Sequence, residues 1–448
     1  VTGATMWNAL EDRRYRHLFL AQIVALAGTG LATVALGLLA YDLAGERAAL
    51  VLGTVFTIKM VAYVGIAPLA GALAERIDRR RLLVGLDLVR AAAAVSLPFV
   101  NEVWQVYLLI FVMQAASAGF TPAFQATIPD LLPEETRYTQ ALSLSRLAYE
   151  LENIVSPLLA GILLTIMSHD ALFLGTALGF FGSALLVVSV TLPKPELDYS
   201  ASRGVYERTT RGMRIYLATP RLRGLLALCL SVSAAGSMVL VNSVVLVRSE
   251  LGLPASALAW AMCAFGAGSM IAALALPRLL ESVPDRPVML AGAVLMGGVL
   301  ATLALVNMAF GMSWGALLLT WGLVGLGYSG VMTPSGRLLK RSARSADRPA
   351  LFAAQFALSH ACWLVSYPLS GWLMTRFGTS ATLLILAGIA VLGCLAALRL
   401  WPTADDTEVE HIHDNLPLSH PHLNGERRHR HTMIIDDEHP HWSDHYRR

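Results

Sequence analysis

Charge is what this chain has least of. Only 15% of its 448 residues are charged, where a soluble domain carries about 25%. Hydrophobic residues make up 55%, and mean hydropathy is +0.58. A large soluble enzyme is excluded, because nothing would cover so much apolar surface. Cysteine is equally scarce. Cys229, Cys263, Cys362 and Cys394 all lie inside apolar runs, with no Cys-x-x-Cys pattern. That argues against a disulfide framework or a zinc ribbon and for small packing residues. No Walker sequence is present, so ATP is not expected to power the protein directly. "GLGYSG" (325–330) satisfies Gly-x-Gly-x-x-Gly, but no strand precedes it, which excludes a dinucleotide fold. Gly322, Gly325, Gly327 and Gly330 instead suit close helix packing. The polar opening leads straight into a long apolar run, so the first span is expected to stay uncleaved.

Long apolar runs are abundant. They recur near 17–42, 49–74, 82–99, 103–128, 139–166, 171–192, 222–247, 256–280, 287–308, 312–339, 350–375 and 379–400. Each approaches the ~20 residues that a helix needs to cross a bilayer. The predicted fold is an all-α membrane protein of twelve transmembrane helices. Of 34 Lys and Arg, only Arg47, Arg248 and Arg376 fall in odd-numbered loops. The positive-inside rule then puts the even-numbered loops and both termini in the cytosol, around a multi-pass protein of the inner (cytoplasmic) membrane. The expected organisation is an N-terminal segment (1–16), a six-helix bundle (17–192), a basic central loop (193–221), a second six-helix bundle (222–400) and a polar tail (401–448).

The two halves echo each other. "TPAFQATIPDLL" (121–132) returns as "TPSGRLLKRSA" (333–343), 212 residues later, and "NIVSPLLAG" in span five matches "WLVSYPLSG" in span eleven. Duplicated halves around a midplane site are how alternating-access carriers are built. "GALAERIDRRRLL" (71–83) resembles the signature of the major facilitator superfamily between spans two and three. Gly71, Arg76, Arg79 and Arg80 match it, whereas Glu75 and Asp78 replace the usual Asp and second Gly. The resemblance implies two pseudo-symmetric six-helix bundles and a gating role for this loop. Carboxylates at helix N-termini and arginines at C-termini make physical sense there.

The tail is built around imidazole. His411/His413, His420/His422, His429/His431 and His439/His441 form four His-x-His pairs, followed by His445. Nine of twelve histidines thus lie in the last 38 residues. Neutral imidazole suits zinc, copper, iron and nickel, and with a free pKa of ~6.5 most would be neutral in cytosol. The composition predicts disorder without metal. A pH-sensitive tail or an anionic-lipid contact through "ERRHRH" (426–431) are the competing readings. A twelve-span facilitator with such a tail resembles the nickel-resistance exporters of the NreB type, which implies divalent-metal efflux. Nickel enters through that resemblance and not through the ligands, whose affinity would rise toward copper.

Charge at mid-membrane costs about 2.5–3.5 kcal/mol on insertion scales, so it marks a pathway. Span five carries Arg146, Tyr149, Glu150, Glu152 and Asn153, of which all but Glu152 share a helical face. The internal offset sets His360 opposite Glu150 and Cys362 opposite Glu152, a candidate first shell for a divalent ion. An Arg146–Glu150 pair within span five competes with it. Lys59 in span two is a lone cation needing a partner, with Asp42, Glu150 or a carbonyl as candidates. Asp87 and Arg90, one turn apart, read as a structural pair. The first expectation is a divalent-metal exporter, with nickel as substrate and proton antiport through Glu150 or Glu152. An organic-compound exporter (siderophore or drug) and a membrane metal sensor or store are the alternatives. No cofactor, enzymatic activity or nucleic-acid partner is expected; the bilayer, metal ions and protons are, with the chain a monomer.

Overall fold

The computed structural model describes residues 6–44, 48–74, 77–164, 166–192, 205–403, 408–412, 428–435, 439 and 442. The helices of the first half are α1 (Arg13–Ala44), α2 (Ala48–Ala74), α3 (Arg79–Ser96), α4 (Val103–Leu131), α5 (Glu135–Leu163) and α6 (His169–Val188). A short helix α7 (Val205–Ala218) precedes the second half: α8 (Pro220–Val245), α9 (Ala255–Ser282), α10 (Asp285–Phe310), α11 (Trp314–Ser342) and α12 (Arg348–Leu400). Ten of these helices are long and apolar enough to span a membrane by composition alone. α5 falls short because charged residues interrupt it, and α12 holds two spans in one. With those two corrections the expected twelve spans are present.

Local chemistry sets the boundaries. Asp12 caps α1, its Oδ1 accepting from the backbone N–H of Arg14 at 2.8 Å and of Tyr15 at 3.0 Å. Pro220 and Pro349 sit in first turns, where the missing N–H costs nothing. α12 breaks at Gly378, whose φ of 73° lies in the region that favours glycine. The chain therefore turns there and the last span runs back. These directions bring the basic loops together at one end of the molecule.

In the first half α1 packs on α5 and α6, and α3 on α4 and α6; in the second α12 packs on α8 and α10, and α11 on α9 and α10. The halves meet through α2 against α12 and α5 against α9 and α11. Glycine makes the second half tight. A β-carbon at Gly325 would stand 1.9 Å from the Phe265 carbonyl oxygen, and one at Gly268 1.8 Å from that of Gly322. Gly327 meets Gly292 of α10 in the same way, at 2.6 Å. This is the helix packing that the glycines of "GLGYSG" predict.

α7 lies against the start of α12: Tyr216 Oη donates to Gln355 Oε1, and Arg211 pairs with Asp347. The tail holds the strands β1 (Glu408–Ile412) and β2 (Arg428–Thr432), antiparallel, with His411 opposite His429 and Val409 opposite His431. Disorder is the sequence expectation for both. In β1 Val409 and Ile412 favour an extended chain, and Glu408 and Glu410 face Thr432 and Arg430 of β2. Beyond β2, Met433, Ile435 and His439 are buried, and Ile435 and Trp442 pack on the second half's core. Trp442 also lies over Arg221, 5.6 Å from its guanidinium carbon.

Gly325→Val should force α9 and α11 apart. Overpacking of this kind costs about 1–3 kcal/mol or more, so the purified variant should melt several degrees below wild type in detergent. Gly315→Val, where an added β-carbon meets nothing within 4 Å, should not.

Candidate functional site

A cavity of about 700 Å3 lies between the halves. Its floor is near Leu339 and Gln355, close to the basic-loop ends of α11 and α12. From there it reaches Leu36, Val55 and Leu97, near the opposite ends of α1, α2 and α3. The volume is roughly twenty times the ~30 Å3 share of one water and falls in the range of small-molecule pockets, about 300–1,000 Å3. Aromatic rings from both halves line it, among them Tyr63, Phe120, Tyr149, Tyr328 and Phe356.

Three cations reach this cavity, each against an aromatic face. Arg90 pairs with Asp87, as expected, and its guanidinium carbon lies 4.1 Å from the Phe120 ring centroid and 4.5 Å from that of Phe180. Arg146 crosses between the halves: Nε donates to Ser269 Oγ at 3.1 Å, and the guanidinium carbon stands 4.4 Å from the Tyr328 centroid. Of the partners that the sequence suggests for Lys59, the Glu150 side chain lies outside the described residues, and Lys59 has its Nζ 5.6 Å from the centroid of Tyr63. Such a contact is worth about 0.5–2 kcal/mol, below the insertion cost of a charge at mid-membrane, about 2.5–3.5 kcal/mol. Lys59 is therefore electrostatically under-compensated among the described residues.

The remaining predicted residues divide. Glu152 lines the cavity, close to Gly30 of α1, where a β-carbon would meet Glu152 Oε1 at 3.2 Å. His360 lines it too. Its Nδ1 lies 2.7 Å from the Phe356 carbonyl oxygen, which can only accept, so that nitrogen carries the proton. The imidazole stands edge-on to Tyr63, with centroids 4.8 Å apart. Cys362 packs against the core of the second half, and Asp42 is exposed at the end of α1. The side chains of Glu150 and Asn153 lie outside the described residues, as do Glu75 and Arg76 and, in the tail, His413, His420, His422, His441 and His445. For His411, His429 and His431 only the backbone is described. Among the described residues, no group of three His, Cys, Asp or Glu is placed to hold a metal ion.

The signature loop does sit at a closure. Asp78 caps α3, accepting from the Arg81 N–H at 3.1 Å, and Arg80 is half-buried beside it. Arg79 pairs with Asp130 at the end of α4, and Asp130 also takes Arg348 and, at 3.1 Å, Ser345 Oγ from the second half. A second cluster again sets an acid of the first half against arginines of the second. Asp285 of α10 holds Arg337 (3.1 Å) and Arg341 (3.0 Å) of α11, and both arginines take Glu135 of α5, Arg337 at 2.7 Å. Lys340 and Tyr138 add hydrogen bonds across the halves to Pro133 O and Gly336 O. Gly71 lets α2 touch α12, since a β-carbon there would meet Ala353 Cβ at 2.6 Å. Among the described residues every ion pair between the halves lies at this basic-loop end. Sequence reasoning missed Asp130, Glu135, Asp285, Arg337, Arg341 and Arg348. The signal was available, because Asp130, Arg337 and Arg341 fall inside the echoed "TP" stretches.

Removing one member of a buried pair costs about 3–5 kcal/mol, and Asp130 is buried; Asp130→Asn should therefore loosen this end, as should Glu135→Gln, whose half-exposed carboxylate meets two arginines. With the four native cysteines removed, Leu339→Cys should react with an impermeant maleimide from the basic-loop side about tenfold faster or more in either background. An unchanged labelling rate would show that the pairs do not hold the end shut.

Comparison with known proteins accords with this architecture. A model described as Major Facilitator Superfamily matches residues 18–241 and 226–430. The chain is 31% identical over 217 residues to the uncharacterized MFS-type transporter YfiS of Bacillus subtilis (strain 168), which is 46% of this chain and 50% of that protein. It is also 31% identical over 151 residues to macrolide efflux protein A of Streptococcus pyogenes, 33% of this chain and 37% of the relative. These alignments span half or less of the relatives' length. A solved bacterial homologue of the iron transporter ferroportin, in outward-facing state, superposes with a TM-score of 0.70 at 15% identity, covering 87% of this chain and 99% of that one. At that identity the likeness is one of fold alone. Because the family match runs through both halves, from the first span into the tail, the chain belongs to the Major Facilitator Superfamily.

Proposed function

We propose that this protein exports an organic compound across the cytoplasmic membrane by alternating access. The cavity carries the reading. It has room for a drug-sized molecule and is walled by aromatic rings from both halves. A metal pathway would call instead for a narrow site with converging oxygen, nitrogen or sulfur ligands. The partial likeness to a macrolide efflux protein points the same way. With the basic loops in the cytosol, the Asp130 and Glu135 clusters shut the cytosolic end and the cavity faces outward. Loading from the cytosol then requires both clusters to part while the outer ends of the halves approach. Glu152 is the described carboxylate in the cavity, and proton exchange there is the simplest coupling for a carrier without an ATPase module.

Export of a divalent metal, nickel first, is the second reading. One observation favours it: the tail pairs its strands so that His411 aligns with His429. An imidazole-rich ladder at the cytosolic mouth would raise the local metal concentration there.

Growth of a sensitive host separates the two. Expression should raise tolerance to members of a macrolide and dye panel several-fold, with nickel, cobalt, zinc and copper tolerance unchanged. Raised nickel tolerance without any effect on the panel would overturn the organic reading. Replacing the tail histidines by glutamine, except the buried His439, should leave organic tolerance within about twofold of wild type.

A further inference from the structure

The charges in the cavity say more about the cargo than its size does. Four described charged side chains line it: Lys59, Arg90, Arg146 and Glu152. Three are cations. Arg90 is neutralised from behind by Asp87, which is fully buried and does not reach the lining. Arg146 and Glu152 each have further partners. Lys59 is left with the face of Tyr63 alone among the described residues. It stands partway along α2, half-buried on the wall of the cavity. An ammonium in such a place is compensated best by an anion brought in from outside.

The neighbourhood of Lys59 also suits the rest of such a ligand. The Tyr63 ring packs between Lys59 and the second half, against Phe356 (centroids 4.9 Å apart) and His360. The Tyr63 hydroxyl is tied back to Gln114 Oε1 at 3.0 Å, which holds the ring in place. His360 has committed its Nδ1 proton to the Phe356 carbonyl, so it is not organised as a second anion clamp. One fixed cation beside an aromatic wall is a recognition element for an acidic group attached to a flat or apolar body.

We propose that the cargo is an organic anion, a carboxylate carried on an apolar or aromatic skeleton, and that Lys59 pairs with its acidic group. The inference rests on the organic-export reading above and deepens it. It also adds a driving force, because an anion leaving an inside-negative cell moves down the electrical gradient.

The test compares efflux of two dyes of opposite charge, the anionic carboxyfluorescein and the cationic ethidium, from cells expressing equal amounts of membrane-inserted protein. Wild type should export carboxyfluorescein in preference to ethidium. Lys59→Gln should cut carboxyfluorescein efflux at least tenfold, Lys59→Arg should rescue most of that loss, and Lys59→Glu should turn the preference toward ethidium. A merely structural role for Lys59 would not reverse the preference. Preferential export of ethidium by wild type, or carboxyfluorescein efflux unchanged in Lys59→Gln, would overturn the anion inference while leaving organic export standing. Nickel efflux with neither dye exported would overturn both.

Discussion

Two half-molecules that pack around a central cavity need something to pin that contact in one arrangement, and here the ion pairs that do so stand, among the described residues, at a single end. Asp130 holds arginines from both halves, and Glu135 reaches across to the arginines of α11. Buried pairs suit a gate better than apolar packing would. Their attraction is short-ranged and strong while water is excluded, and their desolvation cost is returned once water enters. Such a contact therefore favours fully shut or fully open over intermediate positions. In both clusters the acid that crosses belongs to the first half and the arginines it meets belong to the second.

The packing of the second half shows what the gate acts upon. Close approach at Gly268, Gly325 and Gly327 makes α9, α10 and α11 a stiff unit. Arg221 fixes the end of α11 by donating to the Arg341 carbonyl oxygen at 2.9 Å and to Ser342 Oγ at 2.8 Å. The gate arginines are thus mounted on a helix end that is itself held. Arg221 is also the residue over which Trp442 of the tail lies. The polar tail and the gate share this one guanidinium, although they stand about a hundred residues apart in the chain.

Polar groups within the bilayer are grouped by use. Asp87 and Arg90 pair with each other inside the first half, and Arg146 ties the halves at mid-depth. Among the described residues Lys59 has only a ring, so we assign its charge to whatever enters the cavity. The same distinction separates the metal and organic readings. A metal needs several donors converging on one point, and the described donors are spread over the walls of a wide cavity. Nine of the twelve histidines are in the tail.

Much was legible in the sequence because it depends on local composition. Apolar runs of bilayer length dictate spanning helices whatever they pack against. The bias of Lys and Arg dictates which loops share an end, and the echo of "TPAFQATIPDLL" in "TPSGRLLKRSA" dictates two related halves. Asp87–Arg90 was readable for the same reason, being one helical turn apart. Contacts between distant segments were not. Nothing local says that Asp130 meets Arg348, that Glu135 meets Arg337, or that Lys59 rests on Tyr63 while Cys362 turns away from the cavity into the core. The pseudo-repeat sets span five against span eleven as counterparts. Equivalence by repeat, however, does not determine which way a side chain faces, since that follows from each helix's rotation against its neighbours. Spans and their order were therefore settled by the chain alone. Which charges close the gate and which one is left for cargo was decided only when the helices packed.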